Sequence, residues 1–541
     1  MGDAPNGGVT SEMRPLVKYF PKSILPSNFE FGAFAFFLLS LYSCNAPGEP
    51  DLLNAREGAG NLNVLLIVAD DMNCDIGAYA EHGALTPNLD RLAEMSTVFD
   101  NAHVQYPHCG PSRASFMTSL YPSQTKITQN NVFIRSTIPD VITLGQRFRQ
   151  QGYESIRIGK IFHYDNPGAI GTAGTDDNDS WDRTINPYGR DKVEEFKINT
   201  LKPRKYGGVL SWLAADGSDE EQTDGVGATE AIEQLERLAG TEDNFFLAVG
   251  FFRPHTPFVA PKKYFDWYDQ DSIEIPDRSD ESLYAIPSQA ARSLRTKQNA
   301  GLTDDATARE IKEAYYSTIS FVDAQVGRVL DKLEATGLNE NTIVVFVSDH
   351  GYHLGEHGHW QKQTLFENAT RIPLMISIPG SEGVHRSDSP VELLDLYPTL
   401  MDYTEIEPPS HIVGKSLRPI ISGQKASVRE GAITQYRSGI SLRTNRYRIT
   451  KWGEDATADF ELYDHSNDSQ ELHNLARDSG FSRVLDSLRV ALEVRAIELE
   501  NIPEGLGRQF EDVRPMFRSP NITRGDVYDA GWRLNISKSM E

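Results

Sequence analysis

Cysteine is nearly missing from this chain: 541 residues hold three, Cys44, Cys74 and Cys109. So odd and sparse a set excludes a disulfide framework, and each cysteine needs its own explanation. Positive charge is also short. Lys and Arg number 53 against 77 Asp and Glu, and the formal net charge is -24. That balance argues against nucleic acid and anionic membrane as partners, because both are polyanions. An acidic polymer as substrate requires a local basic pocket, since salt screens long-range repulsion beyond roughly 10 Å. Long apolar runs are missing too. The run from Phe31 to Ser43 (FGAFAFFLLSLYS) falls short of the ~20 residues that a spanning helix takes. No internal repeat or low-complexity tract appears. What remains is ordinary globular material, 39% hydrophobic and 24% charged. The chain is long enough for a large domain and a smaller one.

The short apolar run fits the h-region of a signal peptide, preceded by Arg14, Lys18 and Lys22. It ends in Leu41-Tyr42-Ser43-Cys44, which resembles a bacterial lipobox, in which the cysteine carries the lipid. The expectation is a lipoprotein signal over residues 1–43 with a lipid anchor at Cys44; simple secretion is the alternative. Both place the mature protein outside the cytoplasm, at the cell surface or in the periplasm. Residues 44–60, rich in Gly, Pro and Asn, read as a tether.

Three nearly continuous apolar runs follow: Asn63–Ala69 (NVLLIVA), Phe245–Phe251 (FFLAVGF) and Thr342–Ser348 (TIVVFVS). Such runs suit strands buried on both faces. Pro373–Ile378 is a weaker candidate. Between them lie helical patterns at Thr86–Met95, Ala228–Ala239 and Ala306–Leu333. The alternation predicts an α/β fold with a mainly parallel sheet covered by helices on both faces. Ligands in such sheets sit beyond the carboxyl ends of strands. That rule gathers Asp70, Asp71, Asp349 and His350 at one edge, far apart though they are in sequence. Beyond Pro408-Pro409 come short strand-like segments at Ala432–Tyr436, Ser441–Thr444, Tyr447–Trp452 and Glu461–Tyr463, then an amphipathic helical stretch over Phe481–Ile502. The expected division is a catalytic domain over 61–407 and a smaller α+β unit over 408–541 with a short antiparallel sheet.

The most specific feature is Cys109-Gly110-Pro111-Ser112-Arg113, within HCGPSRASFMTSLYP. A lone cysteine would read as a small buried residue. With Pro111 and Arg113 at these offsets, ahead of a helical pattern, the segment resembles the signature of the type I, formylglycine-dependent sulfatases. The chain is most similar to their iduronate-2-sulfatase-like group. The resemblance runs from Asn61 to about Ala476 and includes ELYDHSNDSQELHNLA near its end. It implies an alkaline phosphatase-like fold, a large mixed or parallel sheet sandwiched by helices. It also implies that a formylglycine-generating enzyme oxidises Cys109 to formylglycine (3-oxoalanine), the nucleophile toward the sulfate ester.

The remaining residues suit that chemistry. Sulfate is an anion, and a helix that starts after Pro111 would offer it backbone N–H groups. A hard cation takes oxygen donors. By resemblance Asp70, Asp71, Asp349 and position 350 hold Ca²⁺ together with the modified Cys109. Many sulfatases have Asn at that last position, where this chain has His350. Arg113 would hold the formylglycine oxygen. Gly159-Lys160-Ile161-Phe162-His163 and Arg253-Pro254-His255-Thr256-Pro257-Phe258 resemble two further family elements. They imply Lys160 as a sulfate ligand, His163 as the base of sulfate elimination and His255 as the acid for the leaving alcohol. Lys362 would clamp the sulfate. His353, His357 and His359 look like a zinc cluster but lack its spacing, and read as loop or pocket lining. Asn166–Tyr188 and Tyr352 are expected to line the pocket, and His108 to touch it.

The implied substrate is a sulfated carbohydrate, such as a uronate-containing polysaccharide. Two alternatives stay open: a phosphonate or phosphate ester hydrolase of the same fold, and a surface lipoprotein that binds sulfated glycan without turning it over.

Overall fold

A computed structural model describes residues 62–515, apart from 80–82, 204, 277–285, 296–303, 454–459 and 512. The expected signal, Cys44 and the tether lie outside the described residues, which all fall within one compact unit, Ala59–Glu541.

The apolar runs form the centre of an eight-stranded sheet. Its strands are β1 (Asn63–Asp70), β2 (Thr97–Phe99), β3 (Glu154–Gly159), β4 (Arg183–Ile185), β5 (Phe245–Pro254), β6 (Thr342–Ser348), β7 (Leu374–Ser377) and β8 (Arg386–Ser387). They lie in the order β8-β2-β7-β6-β1-β5-β3-β4. From β6 to β4 every neighbouring pair is parallel. β7 runs antiparallel to both β6 and β2, so the sheet is mixed.

β1 shows why the run is continuous rather than alternating. Its side chains split between two cores. Leu65, Ile67 and Ala69 face one, Val64, Leu66 and Val68 the other, and all six are fully buried. Each large aliphatic side chain so buried contributes roughly 1.5–3 kcal/mol. The first core is closed by helices α1 (Pro87–Glu94), α4 (Thr223–Leu238) and α5 (Asp305–Ala335). The second is closed by α2 (Cys109–Thr118), α3 (Leu144–Gln150) and α6 (Leu396–Tyr403).

A four-stranded antiparallel meander follows, β9 (Ala432–Tyr436), β10 (Gly439–Arg443), β11 (Tyr447–Trp452) and β12 (Phe460–Asp464). Leu492 and Leu499 of α7 (Ser482–Glu500) pack on Ile433, Leu442, Ile449 and Leu462. β10 starts two residues before Ser441, at which the sequence reading begins it. Gly439 opens it because a Cβ there would lie 2.7 Å from both Leu365 and Trp452. The meander is tied to the segment before α2: Gln435 N–H donates to the Gln105 carbonyl at 2.9 Å, and the Thr434 hydroxyl to that of Val104 at 2.6 Å. Among the described residues no helix is long and apolar enough to cross a membrane.

Candidate active site

The site begins where β1 ends. Asp70 is its last residue, and the chain then turns through Asp71 at φ 69°. A left-handed non-glycine residue is costly, and Asp is among the side chains that tolerate it best. Two bonds hold the turn. Asp71 N–H donates to Asp349 Oδ1 at 3.1 Å, and the Tyr315 hydroxyl of α5 donates to the Asp71 carbonyl at 2.8 Å. Asp349 and His350 follow β6, which pairs directly with β1. Parallel neighbours ending at one edge thus bring four polar residues together.

α2 delivers Cys109 to the same edge. The helix starts at Cys109 itself, two residues before the proline expected to open it. Pro111 sits in the first turn, where a missing N–H costs no helical bond. The orphan N–H of Gly110 donates to Asn130 Oδ1 at 2.8 Å. Cys109 is fully buried. Its Sγ lies 3.2 Å from His350 Nε2, 3.2 Å from Lys362 Nζ and 3.9 Å from Asp71 Oδ1. Burial pushes the Cys109 thiol well up, outweighing the nearby Lys362. One turn on, Arg113 is fully buried and makes four bonds. Nε donates to Asp349 Oδ2 at 2.8 Å and a terminal nitrogen to Asp70 Oδ1 at 3.1 Å. The other terminal nitrogen donates to the carbonyls of Lys160 (2.6 Å) and Ile161 (2.9 Å).

Two buried lysines complete the charge balance. Lys160 pairs with Asp70, and Lys362 with Asp71 Oδ1 at 2.5 Å. Burial opposes the charge on Asp70, yet Lys160, His255, Arg113 and Lys362 hold its carboxyl well below the usual range. Asp71 goes the other way: burial raises it, and Lys362 and His350 compensate only in part. Its Oδ2 is buried without a hydrogen-bond partner, and His255 Nε2 lies 3.8 Å from it. His255 Nδ1 donates to the Thr256 carbonyl at 2.6 Å, which leaves Nε2 as the end facing Asp71. Burial and Lys362 push the His255 pKa down. Burial and Lys160 do the same to His163, whose buried Nδ1 has no partner. His163, His255 and Lys362 border one cavity of about 350 Å³, with His108, Asn130 and Gln363 also on its wall.

The cluster suits a cation. Oxygens of Asp70 and Asp71, Cys109 Sγ and a His255 nitrogen lie within 4.8 Å of one another, as do donors from Cys109, Asp349 and His350. His350 Nδ1 is turned to the Gly351 carbonyl at 3.0 Å, so Nε2 points its lone pair at Asp71 and Cys109. Three carboxylates, one of them with an orphan oxygen, form a hard donor set for a divalent ion. The histidine nitrogens and the unmodified Cys109 sulfur are the softer donors.

The residues read from the sequence as catalytic or metal-binding therefore all meet at one edge of the sheet. Others do not line the cavity. Tyr352 is fully buried, stacked on Tyr315 with centroids 5.2 Å apart. In the 166–188 stretch only Asn166 borders the cavity among the described residues. Asp176 and Asp177 instead pair with Arg157 and Arg135. His353, His357 and His359 are buried and packed on one another and on Phe366, in a loop structure rather than at the site. Asn130 and Gln363 were not singled out by the sequence. Each is a polar loop residue with no local motif, placed at the cavity by long-range packing.

This geometry has counterparts. The sequence model of the Sulfatase family matches residues 62–406, and the C-terminal model of N-sulphoglucosamine sulphohydrolase matches 355–497. A "Sulfatase" of Formosa agariphila is 34% identical over 449 residues, covering 80% of this chain and 86% of its own. "Iduronate 2-sulfatase" of Mus musculus is 30% identical over 519 residues, covering 79% and 93%. Among solved structures, the phosphonate monoester hydrolase SpPMH of Silicibacter pomeroyi superposes with a TM-score of 0.68 at 22% identity, covering 82% and 97%. At that identity the likeness speaks for the fold, the alkaline phosphatase-like sandwich with its small C-terminal sheet. The family match spans well over half of the chain and the relatives four fifths of it, so the protein belongs to the sulfatase family and is a sulfuric ester hydrolase.

Proposed function

We propose that this enzyme removes sulfate from a sulfated carbohydrate, a uronate-containing polysaccharide or its oligosaccharides, using Cys109 matured to formylglycine and a calcium ion. The observation that carries the reading is Cys109 Sγ within 3.2 Å of both Lys362 and His350, beside a cavity bordered by His163 and His255. The name of the mouse relative supports a sulfated uronate as the substrate.

Asp70, Asp71, Asp349 and His350 would hold the ion, which would supply positive charge beside the nucleophile and the sulfate. Formylglycine would supply, as its hydrate, one hydroxyl to attack sulfur and a second to release the sulfate again. The protein's own groups do the rest. Arg113 fixes Asp70 and Asp349 in one plane of bonds and so sets the position of α2 against the strand ends. Lys160 and Lys362, both buried, neutralise the incoming anion in a site shielded from water. His255 presents Nε2 to the cavity, with Nδ1 fixed on the Thr256 carbonyl. The anionic substrate favours its protonation, and it gives that proton to the departing alcohol oxygen. His163, neutral through burial and Lys160, takes the proton that must leave before sulfate is expelled. The maturing oxidation needs a formylglycine-generating enzyme. An export signal with a lipid anchor at Cys44 belongs to the same proposal, since a surface enzyme meets polymer directly.

The test is sulfate release, by ion chromatography, from sulfated oligosaccharides, beside alcohol release from a phosphonate monoester. The protein is co-expressed with a formylglycine-generating enzyme, with Cys109→Ala as control. Release from a uronate-containing substrate that is absent in the control bears the reading out. Turnover of the phosphonate alone, with formylglycine confirmed by mass, overturns it in favour of the phosphonate reading.

A further inference from the structure

A second cavity, of about 570 Å³, adjoins the catalytic one. His108, Asn130 and Gln363 border both, so the two form one continuous cleft. Its far wall comes from the small meander: Tyr436 ends β9, and Arg437 begins the turn into β10. Among the described residues the lining includes hydroxyl and amide side chains, Thr128, Gln129 and Asn131, and one guanidinium, but no carboxylate. That absence is notable in a chain with 77 Asp and Glu.

Arg437 is built into place. Its backbone takes the left-handed region at φ 54°, and its N–H donates to the Tyr106 hydroxyl at 3.4 Å. Its guanidinium lies 5.3 Å from the centre of the Tyr436 ring, and that ring packs edge-on against Tyr106 at 5.5 Å. Tyr106 lies three residues before Cys109, so the arginine is coupled to the chain that carries the nucleophile. Arg437 is exposed, and no carboxylate among the described residues pairs with it. Asn130 spends its carbonyl oxygen on Gly110 N–H, and its NH₂ group remains for a ligand. Gln363, at φ 73°, is held by its N–H on the Pro107 carbonyl at 3.1 Å. A pre-positioned cation, surrounded by amides and free of acid, is what recognises an anionic group on a polyhydroxylated ligand.

We propose that this second cavity is a subsite for the sugar next to the one that loses sulfate, and that Arg437 selects substrates bearing an anionic group, carboxylate or second sulfate, on that neighbour. The inference rests on the sulfated-carbohydrate reading above. It makes the preferred substrate at least a disaccharide with two negative charges. One charge sits over Lys160 and Lys362, the other at Arg437.

The test compares kcat/KM of the mature enzyme and of Arg437→Gln and Arg437→Lys on three disaccharides with the same scissile sulfate. Their neighbouring sugar carries a carboxylate, a sulfate or no charge. In Arg437→Gln the ratio of charged to neutral substrate should fall about tenfold, mainly through KM, the scale of a lost hydrogen bond to a charged group. Arg437→Lys should recover part of it. A fall for the carboxylate alone or the sulfate alone names the group that is read. An unchanged ratio, or an equal loss on all three substrates, overturns the proposal. Sulfate release from the neutral disaccharide by the unaltered enzyme tests the sulfatase reading separately, so the two failures are distinguishable.

Discussion

Replacing Arg113 with methionine, which keeps much of its volume and none of its charge, tests the central electrostatic argument. Arg113 bridges Asp70 and Asp349, and all three side chains are fully buried. Removing one partner of a buried ion pair costs roughly 3–5 kcal/mol, because the other charge stays behind without compensation. The carbonyls of Lys160 and Ile161 lose their donors as well, at about 1–3 kcal/mol each if no water replaces them. These contributions share one side chain and do not add, so about 5 kcal/mol is the working figure. That is a large part of the ~5–15 kcal/mol that holds a typical domain together. The assay is urea unfolding in a chelator, where a bound cation cannot stand in for the guanidinium. At a slope of roughly 3 kcal/mol per molar urea for a protein of this size, the midpoint should drop by about 1.7 M. The double variant Arg113→Met/Asp349→Asn should lose at least about 1 kcal/mol less than the two single losses combined, since one stranded charge is gone. An unchanged midpoint in the single variant, or strict additivity in the double, would refute the reasoning.

In Cys109→Ser the hydroxyl can attack sulfur but has no second hydroxyl with which to expel sulfate. One turnover should leave a sulfo group on that peptide, visible by mass spectrometry; sustained turnover would contradict the assigned nucleophile. His255→Ala should slow alkyl sulfates with poor leaving groups by a factor of about 10²–10⁴ and activated aryl sulfates far less, and equal losses on both would remove His255 as the acid. Calcium at 100 times its dissociation constant should stabilise the chelator-treated protein by about 2.7 kcal/mol, read as a rise in melting temperature that Asp71→Asn abolishes; an equal rise in that variant would place the ion elsewhere. Glu471 is buried, and although burial raises its pKa, Arg448 and His465 bring it from the ordinary 4.5 to about 2. That depression is worth roughly 3 kcal/mol, fully present above pH 4.5 and lost as pH falls toward 2. Glu471→Gln should therefore cost about that much at pH 7 and progressively less in acid, and a pH-independent difference would count against the pair.

The chemistry of this site was more legible in the sequence than its specificity, for a physical reason. Asp70, Asp71, Asp349 and His350 each lie at or just past the end of a strand whose apolar run announces itself, and adjacent parallel strands end at the same edge. Local pattern is therefore enough to bring them together. Cys109 and Arg113 lie one helical turn apart, so their mutual placement is local too. The places where the reading slipped are those that depend on contact between distant segments. Pro111 suggested a helix start two residues late, because proline is tolerated throughout the first turn. Tyr352 follows Asp349 and His350 and looked like pocket lining, yet it stacks on Tyr315 of a helix whose register no local pattern gives. Arg437, Asn130 and Gln363 carry no motif at all. Arg437 reaches the cleft because Thr434 and Gln435 bond to the segment before Cys109, 330 residues away in the case of Thr434 and Val104, while Gln363 is held on Pro107 and Asn130 on Gly110. A nucleophile and its cation site can be inherited as short words along the chain. A subsite assembled from the turn of a separate small sheet exists only after that sheet has docked, so a hairpin of altered length or charge could redirect the enzyme without touching the edge that performs the reaction.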